Sequence, residues 1–176
     1  MNSDIERILY GEEEIRARVQ EIGDLISKDY NDVVVVGILK GAFVFFADLV
    51  RAIKVPVTVD FMMVSSYGDS SISSGKVDIK KDLETDITGK NVLLAEDIID
   101  TGITMSCLTK ILKARGANSV KLAAFLDKPE RRKTKVNIDY LGFSVPDEFL
   151  VGYGLDYAEK YRNLPYIGVL KRDVYE

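Results

Sequence analysis

The sequence of 176 residues contains no histidine and a single cysteine, Cys107. Without histidine, Ser-His-Asp and Cys-His catalysis are excluded, and so are imidazole ligands to a metal ion. One cysteine cannot form a disulfide bond within the chain. Any acid–base chemistry must therefore be carried out by carboxylates, lysine, tyrosine or this cysteine.

Long apolar runs and an excess of positive charge are also missing. No apolar stretch approaches the ~20 residues that a membrane helix needs, and the segment MNSDIERILYGEEEIRARV lacks the apolar run of a secretory signal. The net charge of −4 provides no general electrostatic reason to bind nucleic acid or an anionic membrane. We therefore expect a cytoplasmic protein with small-molecule partners, in which a phosphate-bearing ligand is held by local groups.

Hydrophobic patterns predict strands and helices in alternation. Apolar residues recur at helical spacing from Glu12 to Ser27, and DVVVVGILKGAFVFFADLVRAI is predicted to form a strand, a glycine-marked turn and a helix. Further strands are predicted in VPVTVDFMMVSSYG and SVKLAAFLDKP, and a strand-loop-helix unit in KNVLLAEDIIDTGITMSCLTKILKARGA. Such a pattern is typical of a parallel sheet covered on both faces. The prediction is one α/β domain over 1–176, with a central, mostly parallel sheet flanked by helices.

The segment from Asp69 to Lys90 has a different composition, rich in Ser, Gly, Asp and Lys. An insertion of this size within a compact domain is often a lid or a binding loop. A solvated hairpin tip is an equally good interpretation of the same residues. Both interpretations stay open at this stage.

Two carboxylates follow the apolar run Val92 to Ala95 in the stretch NVLLAEDIIDTGITM. Open parallel sheets bind ligands at the carboxyl ends of their strands, and this is where we expect Glu96 and Asp97 to leave the sheet. Their acceptor oxygens suit a diol, such as the two hydroxyls of a ribose. The sequence therefore predicts a sugar-binding site at this edge.

A phosphate site is predicted directly after these carboxylates. Thr101, Gly102 and Thr104 lie where a helix is expected to begin, so free backbone N–H groups and two hydroxyls can surround a phosphate. Asp100 lies between the two predicted sites, where we expect it to face whatever group sits at the anomeric carbon of a bound sugar. A simpler interpretation is that Asp100 and Thr101 only cap the helix, although capping does not require three carboxylates in five residues.

The stretch EDIIDTG closely resembles the phosphoribosyl-diphosphate-binding motif of the type I phosphoribosyltransferases, in the form found in their hypoxanthine-guanine branch. Other landmarks of that branch occur in the same order along nearly the whole chain. They are LKGA at 39–42, SSYG at 65–68, DK at 127–128 and DEFLVGYGLDYAEKYRNLPYIGVL from Asp147. The resemblance implies a type I phosphoribosyltransferase fold, with a hood formed by the N-terminal segment and about 128–176 and a flexible lid at about 65–85.

The resemblance also implies a reaction and its partners. A 6-oxopurine, hypoxanthine or guanine, would displace pyrophosphate from 5-phosphoribosyl diphosphate with the help of Mg²⁺, in a homodimer or homotetramer. Asp100 would be the general base or acid near purine N7. The residues implied for the ribose and the 5′-phosphate are Glu96, Asp97, Ile99, Asp100, Thr101, Gly102, Ile103 and Thr104.

The remaining implied roles belong to residues that the motifs match one by one. Lys40, Gly41 and Arg162 would contact pyrophosphate, and the peptide between Leu39 and Lys40 is commonly cis in this family. Ser66 and Tyr67 would lie on the lid. The purine would be bound by Lys128, Phe149, Leu150 and Asp156, and the metal by Asp156, Glu96 and Asp97.

Without the motif matches, several of these residues have ordinary interpretations. Lys40 would be an exposed loop lysine, Phe149 a core residue, and Asp156 with Arg162 a solvated surface pair. The basic run from Arg131 to Lys135 is interpreted as a solvated face or a subunit contact, since nucleic-acid binding has little support on an acidic chain. Alternative functions are a phosphoribosyltransferase for xanthine, adenine or a pyrimidine, and a ligand-sensing regulator without turnover.

Overall fold

The structure is a computed structural model that describes residues 1–65 and 77–176. The strands are β1 (Ile5–Tyr10), β2 (Val33–Leu39), β3 (Val57–Ser65), β4 (Asp78–Lys81), β5 (Asn91–Ile99), β6 (Ser119–Asp127), β7 (Tyr140–Ser144), β8 (Leu150–Val151) and β9 (Ile167–Leu170). The helices are α1 (Glu12–Asp29), α2 (Phe43–Ala52), α3 (Ile103–Ala114) and α4 (Arg172–Tyr175). Short 3-10 turns occupy Asn2–Asp4 and Pro129–Arg131.

Six strands form a large sheet in the order β4-β3-β2-β5-β6-β7. The four neighbouring pairs from β3 to β7 are parallel, and β4 pairs antiparallel with β3. Helices cover both faces, since Val33 and Val35 pack on the side of α1 and α2, whereas Val34 and Val36 pack on the side of α3. The predicted fold class is confirmed.

Helix α1 buries one apolar stripe against this sheet. Ile15, Val19, Ile22 and Ile26 are buried at the predicted helical spacing. Leu25 also fits the helical spacing predicted from the sequence, but it is 47% exposed, because it precedes Ile26 by one residue and lies about 100° around the helix axis from it. Among the described residues, no helix combines the length and the apolarity that a membrane crossing requires.

A second, three-stranded antiparallel sheet has the order β1-β9-β8 and joins the two ends of the chain. The hood predicted for the N-terminal segment and about 128–176 is broader than this small sheet, because β7 pairs with β6 in the large sheet. Likewise, part of the lid predicted at about 65–85 forms β4. The extent of the hood and of the lid stays a prediction.

Strand β5 is longer than the sequence analysis predicted. Glu96 and Asp97 do not leave the sheet, since the strand continues to Ile99 and Glu96 lies opposite Ala124 of β6. The apolar, β-branched pair Ile98 and Ile99 extends the pairing by one further turn of the pleat. The carboxylates therefore belong to the rigid end of a central strand rather than to a loop.

Candidate active site

The ends of β2 and β5 meet at Gly41 and Asp97. A Cβ atom at Gly41 would overlap the Asp97 carboxylate, and one at Gly154 would overlap the carbonyl oxygen of Gly41. Three separate segments therefore approach each other so closely that two of them need glycine at the contact. The predicted ribose-binding carboxylates and the predicted pyrophosphate loop are brought together here.

Glu96 and Asp97 are adjacent carboxylates, and their negative charges repel each other. Burial, and then the neighbouring Asp97 carboxylate, raise the pKa of Glu96 well above its ordinary value. The backbone N–H of Asp97 donates to Oε1 of Glu96 at 3.1 Å, and the N–H of Ile98 donates to Oδ1 of Asp97 at 2.8 Å. This pair can accept hydrogen bonds from two hydroxyls or share a cation.

The loop after β5 turns into α3 through Gly102. Its φ of +79° lies in the left-handed region, and the helix has no side-chain cap. Thr101 Oγ1 accepts only a long bond of 3.4 Å from the N–H of Ile103, and the Asp100 side chain does not cap the helix. Asp100 therefore does not cap the helix, and Thr101 makes only this long contact with the first helical N–H group. The first N–H groups of this 12-residue helix, which include Ile103 and Thr104, form an anion-binding geometry.

The chain that follows β6 packs behind this loop. The N–H groups of Lys133 and Thr134 both donate to the carbonyl of Thr101 at 3.0 Å. A Cβ at Gly102 would lie 2.6 Å from the carbonyl oxygen of Thr134, so no larger residue fits without movement. Arg132 Nε donates to the carbonyl of Asp100 at 3.2 Å, and its guanidinium also pairs with Asp127. The loop is thus held in shape from outside.

Arg132 departs from the interpretation of the basic run as a solvated face, since its side chain is only 20% exposed. The Arg131 side chain is 49% exposed but makes specific ion pairs, and a subunit contact stays a prediction. Both arginines turn toward the loop, and Arg131 Nε lies 2.9 Å from Oδ1 of Asp100. Arg131 also approaches Oδ1 of Asp147 at 3.6 Å. The sequence signal that could have found them is their position, three and four residues after Lys128, where a strand end returns to the ligand-binding edge.

Lys128 lies at the carboxyl end of β6, next to the end of β5. The backbone N–H of Lys128 donates to the carbonyl of Ile99 at 2.9 Å. This hydrogen bond brings Lys128 close to Asp100, the residue that follows Ile99. The ammonium group of Lys128 donates to the carbonyl of Glu148 at 2.7 Å and lies 3.7 Å from Asp147. In this structure the predicted purine-reading lysine is occupied by internal partners.

Phe149 is half-buried beside Lys128. Its ring stacks on Tyr175 of α4 with centroids 4.8 Å apart and meets Tyr157 edge-on at 5.4 Å. Leu150 is buried in β8, opposite Val169. A cavity of about 230 Å³ is lined by Lys128, Arg131, Phe149 and Tyr175, among others.

Two of the predicted pyrophosphate contacts share one acidic partner, Glu159. The peptide between Leu39 and Lys40 is cis. Lys40 Nζ lies 3.1 Å from Oε1 of Glu159, whose other oxygen lies 3.4 Å from Nη2 of Arg162. Arg162 also contacts Oδ1 of Asp156 at 2.9 Å. Glu159, which sequence reasoning did not single out, bridges two cations that the family resemblance assigns to an anion.

The predicted metal ligands do not form a closed protein site. Within 1–65 and 77–176, no cluster of three or more Cys, Asp or Glu side chains is arranged to hold a metal ion. The available donors are carboxylate oxygens, which suit Mg²⁺, an ion that commonly keeps several waters and binds through one or two carboxylates and substrate phosphates. Asp156, Glu96 and Asp97 each supply carboxylate oxygens of this kind, and their binding of a metal ion stays a prediction. Ser66 and Tyr67, predicted on the lid, lie outside the described residues.

Comparison with known proteins agrees with these features. Residues 11–158 match the family model described as phosphoribosyl transferase domain. The chain is 52% identical to the hypoxanthine-guanine phosphoribosyltransferase of Bacillus subtilis (strain 168), over 100% of this chain and 99% of that protein. It is 47% identical to the protein of the same name in Streptococcus pyogenes serotype M3, over 99% of this chain and 98% of that protein.

A solved structure gives the same result at the level of the fold. The crystal structure of a hypoxanthine phosphoribosyltransferase from Staphylococcus aureus superposes with a TM-score of 0.96 at 47% identity. The superposition covers 100% of this chain and 97% of that one. The family model and the full-length relatives together show that the chain belongs to the phosphoribosyltransferase family.

Proposed function

We propose that this protein transfers the 5-phosphoribosyl group from 5-phosphoribosyl diphosphate to N9 of hypoxanthine or guanine, producing IMP or GMP and pyrophosphate. The observation that carries the proposal is the hydrogen bond between Lys128 and Ile99. It joins the ends of β5 and β6, so that groups suited to a ribosyl phosphate and a lysine suited to a 6-oxo group lie side by side. Full-length relatives of about 50% identity bear the corresponding enzyme name.

The sugar-phosphate side of the substrate would bind along the end of β5. Glu96 and Asp97 would accept hydrogen bonds from the two ribose hydroxyls, and the backbone of Asp100 to Thr104 would surround the 5′-phosphate. The close contact of Gly41 with Asp97 brings the β2–α2 loop next to these carboxylates and supports a leaving group bound beside both. The bond from N9 to the anomeric carbon would form as the bond to the pyrophosphate oxygen breaks.

The purine would bind at the end of β6. Phe149 offers a flat apolar face, the backbone of Leu150 would read the edge of the base, and the ammonium group of Lys128 would donate to O6. Asp100 would exchange a proton with N7, near the reacting centre. A bound purine would have to compete with the carbonyl of Glu148 for Lys128.

The pyrophosphate would bind between Lys40, Gly41 and Arg162. In the structure, Glu159 contacts both cations, so an incoming diphosphate would replace a carboxylate with a group of higher charge. Magnesium, when bound, would neutralise charge on the diphosphate oxygens. Asp156, which contacts Arg162 in this structure, would then bind the ion instead. Glu96 and Asp97, next to the ribose, would be the other carboxylates available to it.

The test is nucleotide formation by the purified chain. Hypoxanthine, guanine, xanthine and adenine are each supplied with 5-phosphoribosyl diphosphate and Mg²⁺, and the products are separated by chromatography. We expect formation of both IMP and GMP, and negligible adenine product. Turnover restricted to xanthine or adenine would favour another phosphoribosyltransferase, and binding without turnover would favour a ligand-sensing regulator. Cytoplasmic location and a homodimer or homotetramer remain predictions of the sequence.

A further inference from the structure

Arg131 is the cation that approaches the Asp100 carboxylate, and no motif assigned it a role. Its Nε lies 2.9 Å from Oδ1 of Asp100. That oxygen is buried, and within the described part of the chain it accepts no hydrogen bond of good geometry, so the guanidinium is its compensating charge. A carboxylate oxygen buried without such a partner is unfavourable by the full cost of its desolvation.

The two oxygens of Asp100 differ in their surroundings. Oδ1 is buried, whereas the side chain as a whole is 43% exposed, so the exposed surface lies on the remainder of the side chain, which includes Oδ2. A guanidinium that holds the inner oxygen leaves the outer one directed away from it. This arrangement presents one oxygen of the carboxylate to a ligand in a defined orientation.

The neighbouring cations are engaged elsewhere. Arg132 binds Asp127 and the carbonyl of Asp100, which fixes the loop backbone rather than the carboxylate. Lys128 donates to the carbonyl of Glu148. Arg131 is also tethered on its far side, where Nη1 lies 3.6 Å from Asp147, an acid that Lys128 approaches at 3.7 Å.

We propose that Arg131 is a positioning residue for the transfer reaction, which binds Oδ1 of Asp100 so that Oδ2 faces N7 of the purine. This role rests on the proposed function. Asp147 holds the guanidinium from the opposite side and connects it to the lysine that reads the base. The carboxylate that handles the proton and the ammonium that binds O6 are therefore oriented through one ion-pair chain.

The experiment measures single-turnover nucleotide formation from hypoxanthine, so that product release does not mask the chemical step. Arg131→Gln should lower this rate about tenfold, because small misplacements of a reacting group cost up to ~10² in rate. The KM for 5-phosphoribosyl diphosphate should change less than about twofold, since ribose and phosphate contacts are untouched. Arg131→Lys should recover part of the loss, because it restores a charge without the planar fork.

Two comparisons separate positioning from a general structural or charge effect. Lys135→Gln removes the same charge from an exposed site that lines a separate groove against α3, and it should leave the rate unchanged. In an Asp100→Asn background, Arg131→Gln should have no further effect, since an arginine that acts through Asp100 has nothing left to orient.

Two results overturn the role of Arg131 while the native chain still makes IMP. One is a full native rate in Arg131→Gln, and the other is the same tenfold loss whether or not Asp100 is present. Absence of IMP formation by the native chain would instead refute the proposed function, and the role of Arg131 with it. Melting temperatures of all variants verify that each is folded.

Discussion

The two sides of the candidate site are built in different ways. Along β5 and α3, the groups that would bind sugar and phosphate are backbone N–H groups, a left-handed glycine and carboxylates on a central strand. On the other side, formed by 128–162 together with Lys40, the groups that would bind base and pyrophosphate are mainly long cationic side chains, each held by an internal partner.

The phosphate side is already arranged for its ligand, whereas the cationic side must exchange internal partners for the ligand. A backbone cradle such as that of Gly102 needs no rearrangement when a phosphate enters. Lys128, Lys40 and Arg162 must instead trade an internal acceptor for a substrate oxygen, and each exchange costs part of the binding energy gained. Changes on the first side should alter stability and phosphate binding together, whereas changes on the second should alter substrate choice and rate.

Removing the divalent metal should have the largest effect on turnover, and it acts on the side that would bind the pyrophosphate. Because the residues of 1–65 and 77–176 form no closed cluster of metal ligands, we expect the ion to reach the protein together with the diphosphate. Excess chelator should therefore abolish turnover without unfolding the chain. Circular dichroism and nucleotide formation are measured in the same sample, and full activity in chelator would refute the metal assignment.

Asp100→Asn should have the next largest effect. A group that transfers a proton in the transition state contributes ~10²–10⁴ in rate, so single-turnover formation of IMP should fall by this factor. Binding of 5-phosphoribosyl diphosphate, measured by calorimetry, should change little, because the phosphate is held by backbone groups. A loss of only about twofold in the chemical step would remove Asp100 from the catalytic assignment.

Gly102→Ala tests the preorganised side. A side chain at positive φ costs roughly 1–2 kcal/mol, and here the new Cβ would also lie 2.6 Å from the carbonyl of Thr134. Gly89→Ala is the matched control, since its φ is +70° with no atom within 4 Å. Both variants should melt below the native chain, with Gly102→Ala lower and weaker in phosphate binding. Equal melting temperatures for the two variants would show that the segment at Thr134 moves away from the new Cβ at little cost, and would contradict this account of the loop.

Glu96→Gln should have the smallest effect, and in the opposite direction. The pKa of Glu96 is raised above its ordinary value of 4.5, so the folded chain binds this proton more tightly than the unfolded chain does. Stability is then lost as pH rises above 4.5, where the unfolded state ionises first.

The substitution removes that loss. Without ligand and metal, Glu96→Gln should match the native melting temperature near the lower end of this window and exceed it at neutral pH, while binding 5-phosphoribosyl diphosphate more weakly. Glu21→Gln, at an exposed position of α1, should show no such trend. A native chain more stable than Glu96→Gln at neutral pH would contradict the assigned direction.

How far the sequence alone predicts this site follows from the same comparison. The strand, turn and helix along β5 and α3 could be predicted because they are contiguous in the sequence, so local geometry determines their order. The ligands assigned to them stay a prediction. Only the end of the strand was misplaced, since Ile98 and Ile99 extend the pairing with β6. The hydrophobic periodicity of the flanking elements likewise led to the correct fold class.

The other side depends on long-range packing that no local pattern reveals. A run of basic residues is usually solvated, but Arg132 is largely buried and the half-exposed Arg131 pairs with Asp100, because their segment packs behind the loop at Thr101. Glu159 joins Lys40 across more than a hundred residues of sequence, and only the tertiary structure brings them together. On this side, the family resemblance assigned roles to single residues such as Lys40, but it did not reveal the side chains that pair with them, such as Glu159.

The most direct test of the account is base selectivity in Lys128→Ala. A charged hydrogen bond contributes ~1.5–3 kcal/mol, or about one to two powers of ten in kcat/KM, and an ammonium group favours a 6-oxo over a 6-amino base. We predict that kcat/KM for hypoxanthine and guanine falls by about this factor, that the preference over adenine narrows, and that 5-phosphoribosyl diphosphate binds as before. Native efficiency with an unchanged 6-oxo to 6-amino ratio would contradict the account and move base recognition away from β6.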